Sequence, residues 1–387
     1  MSTRIATVLG VAQLPMRTRL PQYTYADLLG RVAQSALADA NVDARDVDGL
    51  ILAMAPTTTL GVDEPHYWAL AGLPGAARFL GRVHTLASSG LTAFRLACAH
   101  VGAGRARRVL VLAADLADES PDLVGAIQMF SDPFAPPSAP GGAASAHALQ
   151  MSAYMAKNGL DERDMAHVVV KNRANGVDNE FAQLRQAITI EEVLASPVLA
   201  WPIKRLDASP RTSGAAAVLV GPAGEPGVAA TGFGSFANHA MMGARMVPGV
   251  DESFFDGSDL ATAARRAYRV AGIDDPVEQI DLAEVYASFG ILELLAIEAL
   301  GLSAGGNAAR MMGEGHFHRD ARIPVNASGG ATCGSPISGT GLIRVIEATL
   351  QLRGQAGARQ IARPPRSAAV SAIGGLFQLQ DVGILEA

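Results

Sequence analysis

Charged and aromatic side chains are both scarce in this 387-residue chain: charged residues make up 18% and aromatic residues 5%. With 49% hydrophobic residues, that balance excludes an intrinsically disordered protein and leaves ample material for a buried core. Cysteine occurs only at Cys98 and Cys333, too few for a disulfide framework. Only three residues are lysine, the net charge is −6 and no basic stripe stands out, so nucleic acid is not an expected partner. No run reaches the roughly 18 apolar residues of a membrane-spanning helix. The opening MSTRIATVLGVAQLP lacks the cationic start and long apolar run of a signal peptide. Together these absences predict a soluble cytoplasmic protein.

What the chain has in quantity is glycine and alanine, whose small side chains let helices and strands approach closely. Apolar strands alternate with amphipathic stretches. RIATVLGVAQ reads as a strand, YADLLGRVAQSALADANV as a helix, DGLILAMA as a strand and ARRVLVLAADL as a strand buried on both faces. RVHTLASSGLTAFRLACAHVGAG reads as strand, tight turn, then a helix opening near Ser88. This order predicts an α/β fold with a mixed or parallel sheet. The Pro/Gly/Ala/Ser-rich stretch from about Pro121 to Gly142 reads as a loop. Helices follow in 143–212, the last one opened by Thr189 with Glu192 three residues on. From about residue 225 the first pattern returns. VHTLASSGLTAFRLACAHVGAGR and VNASGGATCGSPISGTGLIRVIEATLQLRG share one grammar, which implies a duplicated half. The last segment, SAAVSAIGGLFQLQDVGIL, reads as a hairpin turning at Gly374 and Gly375.

Several of these blocks, in order, resemble the thiolase superfamily, and within it the sterol-carrier and lipid-transfer-protein branch. AHALQMSAYMAKNGLDERDMAHVVVKNRANGVDN followed by TIEEVLASPVLAWPIKRLDASPRTSGAAAVLV is similar to that branch's loop domain and return strand. EVYASFGILELLAIEALGL, VNASGGATCGSPISGTGLIRVIEATLQLRG and SAIGGLFQ are similar to its later catalytic blocks. The resemblance implies the thiolase fold, five αβαβα layers with two duplicated halves around two central sheets. It implies an N-terminal half at 1–120 and 213–224, a loop domain at 121–212 and a C-terminal half at 225–387. It also implies a CoA thioester substrate, no tightly bound cofactor, and a dimer or a tetramer built of dimers.

The same resemblance locates four catalytic positions, and all four are altered. The family's nucleophilic cysteine falls on Ala87, three residues after His84, and a methyl group cannot attack a thioester. The Ala87 backbone N–H, with that of Gly374, can still form a pocket for a thioester carbonyl. Where the second block supplies His or Asn stands Tyr286, able to donate a hydrogen bond or move a proton, or merely to fill space. Where the third block reads Gly-His-Pro stands Gly334-Ser335-Pro336; Ser335 is a hydrogen-bond donor or a turn residue. Where thiolytic enzymes carry an acid/base cysteine stands Ala372. The family's Asp near the end of the loop domain is Ser213. Cys333 is either a displaced thiol or a packing residue, and Cys98 is core. His316 and His318 have the spacing of a weak metal pair without supporting ligands. His84 and His147 point to a pocket or are satisfied histidines. For the CoA moiety the expected contacts are Lys171, Asn172 and Arg173 to phosphates, and Asn326, Ser328, Gly329 and Gly330 to the pantetheine arm.

One knocked-out cysteine would leave the other blocks intact, so the four changes fit a natural departure from thiolysis better than an engineered Cys-to-Ala trap. Three functions remain open. One is a carbon–carbon bond-making or -breaking step on an acyl-CoA without an acyl-enzyme, such as the retro-aldol cleavage of steroid side-chain CoA esters in lipid metabolism. Relatives of that kind work with a small zinc-ribbon/OB-fold partner. The second is a catalytically silent acyl-CoA-binding or scaffold subunit. The third is an acyltransferase with a displaced nucleophile, Cys333 or Ser335.

Overall fold

The computed structural model describes residues 4–54, 67–68, 70, 79–118 and 142–387. The expected loop from 121 to 142 lies, but for Gly142, outside them. In chain order the elements that position the site are β1 (Ala6–Gln13), α1 (Tyr25–Ala40), β2 (Gly49–Ala53), β3 (Phe79–Val83), α2 (Ser89–Gly102) and β4 (Val109–Asp115). Next come α3 (Ala143–Asn158), α4 (Glu162–Gly176), α5 (Ile190–Ala195), the small β5–β6 pair (Val198–Ala200 and Ile203–Lys204) and β7 (Gly214–Gly221). The chain closes with β8 (Val228–Ala237), α6 (Ser258–Ala271), β9 (Leu282–Val285), α7 (Gly290–Ala299), α8 (Thr340–Leu352), β10 (Ser367–Gly374) and β11 (Leu379–Glu386). Helix starts follow their sequence signals. Thr24 with Asp27, Asp161 with Asp164 and Thr189 with Glu192 each form a reciprocal capping box, satisfying N–H groups that the helix leaves open.

The strand order is β3-β2-β4-β7-β1-β8-β11-β10-β9. It reads as one pattern used twice. In the first half β2 pairs parallel with β3 and β4, and β7 runs antiparallel to both β4 and β1. In the second half β9 pairs parallel with β10 and, at Ala283, with Val325, while β11 runs antiparallel to both β10 and β8. The duplication expected from the sequence is thus present, with the single Ala283–Val325 bridge standing where the first half has β3. The two expected sheets, however, are one hydrogen-bonded sheet of nine strands, because β1 pairs antiparallel with β8 over Ala6–Val8 and Val228–Ala230.

Burial sorts the helices into layers. Leu28, Leu29, Val32 and Leu37 of α1 cover one face of the first-half strands, against Leu50, Leu52, Leu110 and Leu112. The other face of those strands packs on Leu91, Phe94 and Ala97 of α2, which share a core with Leu342, Val345 and Ile346 of α8 and with Ala368, Val370 and Ala372 of β10. Beyond the second-half strands lie α6 and α7, packed on Ala369, Ile373, Val382 and Ile384. The sequence of layers is therefore α1, first-half strands, α2 with α8, second-half strands, α6 with α7. Among the described residues no helix is long and apolar enough to cross a membrane.

Candidate active site

The central layer brings two helix tips together. Gly90 opens α2 against the backbone of Leu342, and Gly341 opens α8 so that a side chain there would lie 2.9 Å from the Leu91 nitrogen. Only glycine permits that approach. Just before α2, residues Leu86–Ser88 form one 3-10 turn, with Leu86 in the left-handed region at φ 60°. For a leucine this backbone is unfavourable by roughly 1–2 kcal/mol. Ser89 holds it in place: its hydroxyl donates to the Leu86 carbonyl at 2.6 Å and accepts from the Thr85 N–H at 2.9 Å.

Ala87 sits in the middle of this turn, where the first N–H groups of a helical segment have no carbonyl behind them. Gly374, the last residue of β10, is pressed onto the same turn; a side chain there would stand 2.6 Å from both the Ser88 Oγ and the Thr85 carbonyl. A cavity of about 330 Å³ opens at this junction, lined by His84, Thr85, Leu86, Ala240, Gly374, Gly375, Gln378 and Leu379. His84, Ala87 and Gly374 are therefore brought together. His84 is exposed at the cavity, and partial burial and the nearby Arg82 charge lower its pKa, which favours a neutral ring.

Tyr286 follows β9 in the inward-facing series Leu282, Glu284 and packs against both the central and the outer core. Its N–H donates to the Ser371 carbonyl at 3.0 Å, so the strand pairing continues one residue beyond β9. Burial raises the phenol pKa, partly offset by a hydrogen bond with Ser288. Ser335 lies in the buried third-block turn, its N–H donating to Thr212 Oγ1 at 3.1 Å. It does not line the cavity.

The residues expected to meet CoA are placed otherwise. Lys171 is only 2% exposed and pairs with Glu293 of α7; its ammonium also donates to the Val325 carbonyl. Asn172 and Asn326 donate to the other oxygen of Glu293, at 2.6 and 2.7 Å. Arg173 donates to the Gln186 carbonyl. Ser328 donates to Glu284, which also receives Arg344, and Gly330 donates to the Ser328 hydroxyl. Gly329 packs against Gly176 of α4. A basic spot in sequence is thus an interior network that ties α4 to α7 and to the third-block turn, because the partners of Lys171 and Asn172 lie more than 120 residues away. It is not a solvated phosphate site.

Cys333 is fully buried between Gly176 and Gly329, donates to the Asn172 carbonyl, and has its thiol pushed up to about 12 by burial. It packs rather than faces the cavity. His147 is buried against Phe289 and Phe377, and burial lowers its pKa to about 4. His316 contacts Glu314, and the described residues contain no cluster of metal ligands. Ser213 is buried and donates to Asp118. Two contributors carry no sequence signal: Gln378 in the cavity wall, and Arg245, whose buried guanidinium donates to the Leu376 and Phe377 carbonyls and so braces the glycine hairpin.

Residues 251–387 match the family model described as thiolase C-terminal domain-like. The acetyl-CoA acetyltransferase of Methanothermobacter thermautotrophicus is 29% identical over 373 residues, covering 92% of this chain and 93% of that protein. Sterol carrier protein 2 of Oryctolagus cuniculus is 29% identical over 364 residues; the match covers 87% of this chain but 63% of that protein, so this chain spans less than two thirds of that relative. Among solved structures, the Ltp2-ChsH2(DUF35) aldolase superposes with a TM-score of 0.82 at 22% identity, over 99% of this chain and 97% of that one. The duplicated strand order, the helix tips and these similarities agree: the chain has the thiolase fold, its residues 251–387 match the thiolase C-terminal family model, and its sequence is similar to acetyl-CoA acetyltransferase and sterol carrier protein 2.

Proposed function

We propose that this thiolase-like chain binds an acyl-CoA thioester and breaks a carbon–carbon bond beside it without an acyl-enzyme, by a retro-aldol step. The observation that carries this reading is the junction of the Leu86–Ser88 turn with Gly374 at the mouth of a cavity, with a methyl group where a nucleophile would stand. The N–H groups of Ala87 and Gly374 would hold the thioester oxygen. A 3-hydroxyacyl thioester loses its hydroxyl proton, the C2–C3 bond breaks, C3 leaves as a ketone or aldehyde, and the resulting enolate is stabilised by those N–H groups. Burial keeps the Tyr286 phenol protonated, which suits it to donate a hydrogen bond or a proton rather than to act as the base. The aldolase similarity supports this chemistry, and the pairing of Ltp2 with ChsH2 in that aldolase supports a partner protein, which this reading takes to be a small zinc-ribbon/OB-fold chain. Homodimerisation, and catalytic halves at 1–120 with 213–224 and at 225–387, flanking a loop domain at 121–212, belong to the same reading.

A second reading, a catalytically silent acyl-CoA-binding or scaffold subunit, draws on the simultaneous absence of nucleophile, third-block histidine and acid/base thiol. Acyl transfer through Cys333 has no support from its buried, protonated thiol. The test is incubation of the purified chain, alone and with a co-encoded OB-fold protein, with a panel of acyl-CoA and 3-hydroxyacyl-CoA thioesters, followed by mass. Ketone or aldehyde release lost in Tyr286→Phe supports the retro-aldol reading. Tight binding without turnover would replace it with the silent subunit, and a covalent acyl adduct with an acyltransferase.

A further inference from the structure

We infer that Asp381, acting through Thr92 and Thr85, is the proton acceptor of the cavity; this rests on the retro-aldol reading and supplies the base it lacks. Asp381 is the direct cross-strand partner of Ala372. Opposed residues in an antiparallel pair face the same side with Cβ atoms about 4.5–5.5 Å apart. The carboxylate therefore stands beside the position where thiolytic relatives carry their acid/base thiol.

A directed chain of hydroxyls joins it to the cavity. Thr92 Oγ1 donates to Asp381 Oδ2 at 2.5 Å. Thr92 and Thr85 hydroxyl oxygens are 3.1 Å apart. Thr85 lines the cavity, and Ser88 Oγ donates to Thr85 Oγ1 at 2.9 Å and to the Thr85 carbonyl at 2.8 Å. Each hydroxyl has one proton, and an ionised carboxylate only accepts. Thr92 must then give its proton to Asp381, Thr85 gives its own to Thr92, and the Thr85 oxygen is left as an acceptor. The polarity runs from the cavity to the carboxylate. Asp381 is fully buried, and its Oδ1 accepts no hydrogen bond from the described residues, although the Arg95 Nε lies 3.2 Å away. A carboxylate that served only to pair with Arg95 would not need the hydroxyl chain.

The step balances. The substrate C3 hydroxyl proton passes to Thr85 Oγ1 as the Thr85 proton moves to Thr92 and the Thr92 proton to Asp381 Oδ2. The C2–C3 electron pair becomes the enolate, and C3 leaves as the carbonyl product. Return of the proton along the chain to C2 regenerates the carboxylate and releases the shortened acyl-CoA.

The test compares the full-length protein with Asp381→Asn, Thr92→Val and Thr92→Ser. Two rates are read: carbonyl release from 3-hydroxy-3-methylacyl-CoA thioesters with short, long and steroidal chains, and deuterium uptake at C2 of the matching acyl-CoA in D2O. We expect Asp381→Asn and Thr92→Val, assayed below their thermal midpoints, to lower both rates by ~100-fold or more with KM little changed, and Thr92→Ser, which keeps the hydroxyl, to retain them. Release that is normal in Asp381→Asn overturns the relay and leaves the retro-aldol reading standing. Deuterium uptake that depends on Asp381, without release from any thioester, overturns the cleavage reading and leaves the relay standing. Neither rate in the wild-type protein overturns both. Loss in Thr92→Ser equal to that in Thr92→Val overturns the relay in favour of a packing role for Thr92.

Discussion

Glu293 and Asn326 meet in the interior, the Asn326 amide donating to the Glu293 carboxylate at 2.7 Å while Lys171 and Asn172 reach the same group from α4. Removing one member of a buried ion pair leaves the other charge uncompensated, at a cost of about 3–5 kcal/mol. Glu293→Leu should lower the urea midpoint accordingly. Lys171→Met combined with Glu293→Leu should cost less than the sum of the two single changes, as measured by a double-mutant cycle.

Gly374 has no room for a methyl group against Thr85 and Ser88. Gly374→Ala should weaken acyl-CoA binding by about tenfold or more, near 1.4 kcal/mol, in a calorimetric titration. Gly305→Ala, at a position with open space around it, is the control and should leave binding unchanged.

Neither native thiol should react in the folded protein, because Cys98 and Cys333 are buried and burial raises both pKa values. Ala87→Cys would put a thiol in the turn ahead of α2, where a helix N-terminus lowers thiol pKa. Intact mass after brief iodoacetamide treatment should show no adduct on the wild-type chain and one on Ala87→Cys. Modification of the wild-type chain at Cys333 would contradict the packing described here.

His147 is buried as the neutral ring, its pKa lowered from 6.5 to about 4. Between those values the unfolded chain binds more protons than the folded one, so stability falls as pH drops from 6.5 toward 4. The loss approaches roughly 3 kcal/mol from this group alone. Urea midpoints at pH 7 and pH 4.5 should differ less in His147→Gln than in the wild-type protein.

Much of the scaffold was legible in the sequence because it rests on local signals. The capping pair at Thr189, the non-alternating apolar strand 109–115 and the glycines at 374 and 375 each report on their own neighbourhood. The Ala87 and Gly374 junction was legible only through the family resemblance. What escaped was set by partners far along the chain. Lys171 to Arg173 looked like a surface charge spot, and only the approach of α7 and the third-block turn makes Lys171 and Asn172 interior. Asp381 has one visible sign, a lone acid inside LQDVGIL, but its place opposite Ala372 depends on hairpin register, and its contact with Thr92 spans 289 residues.

The short seam between β1 and β8 has a consequence for how the chain can be divided. Each of these strands opens its own half, and they run antiparallel, as two copies of one half would across a two-fold axis. The molecule is in this sense a dimer written into a single polypeptide, and each half covers a sheet edge and a helix tip of the other. A half expressed alone would expose β1 or β8 as a bare edge and leave Gly90 or Gly341 facing solvent, conditions that favour aggregation over folding.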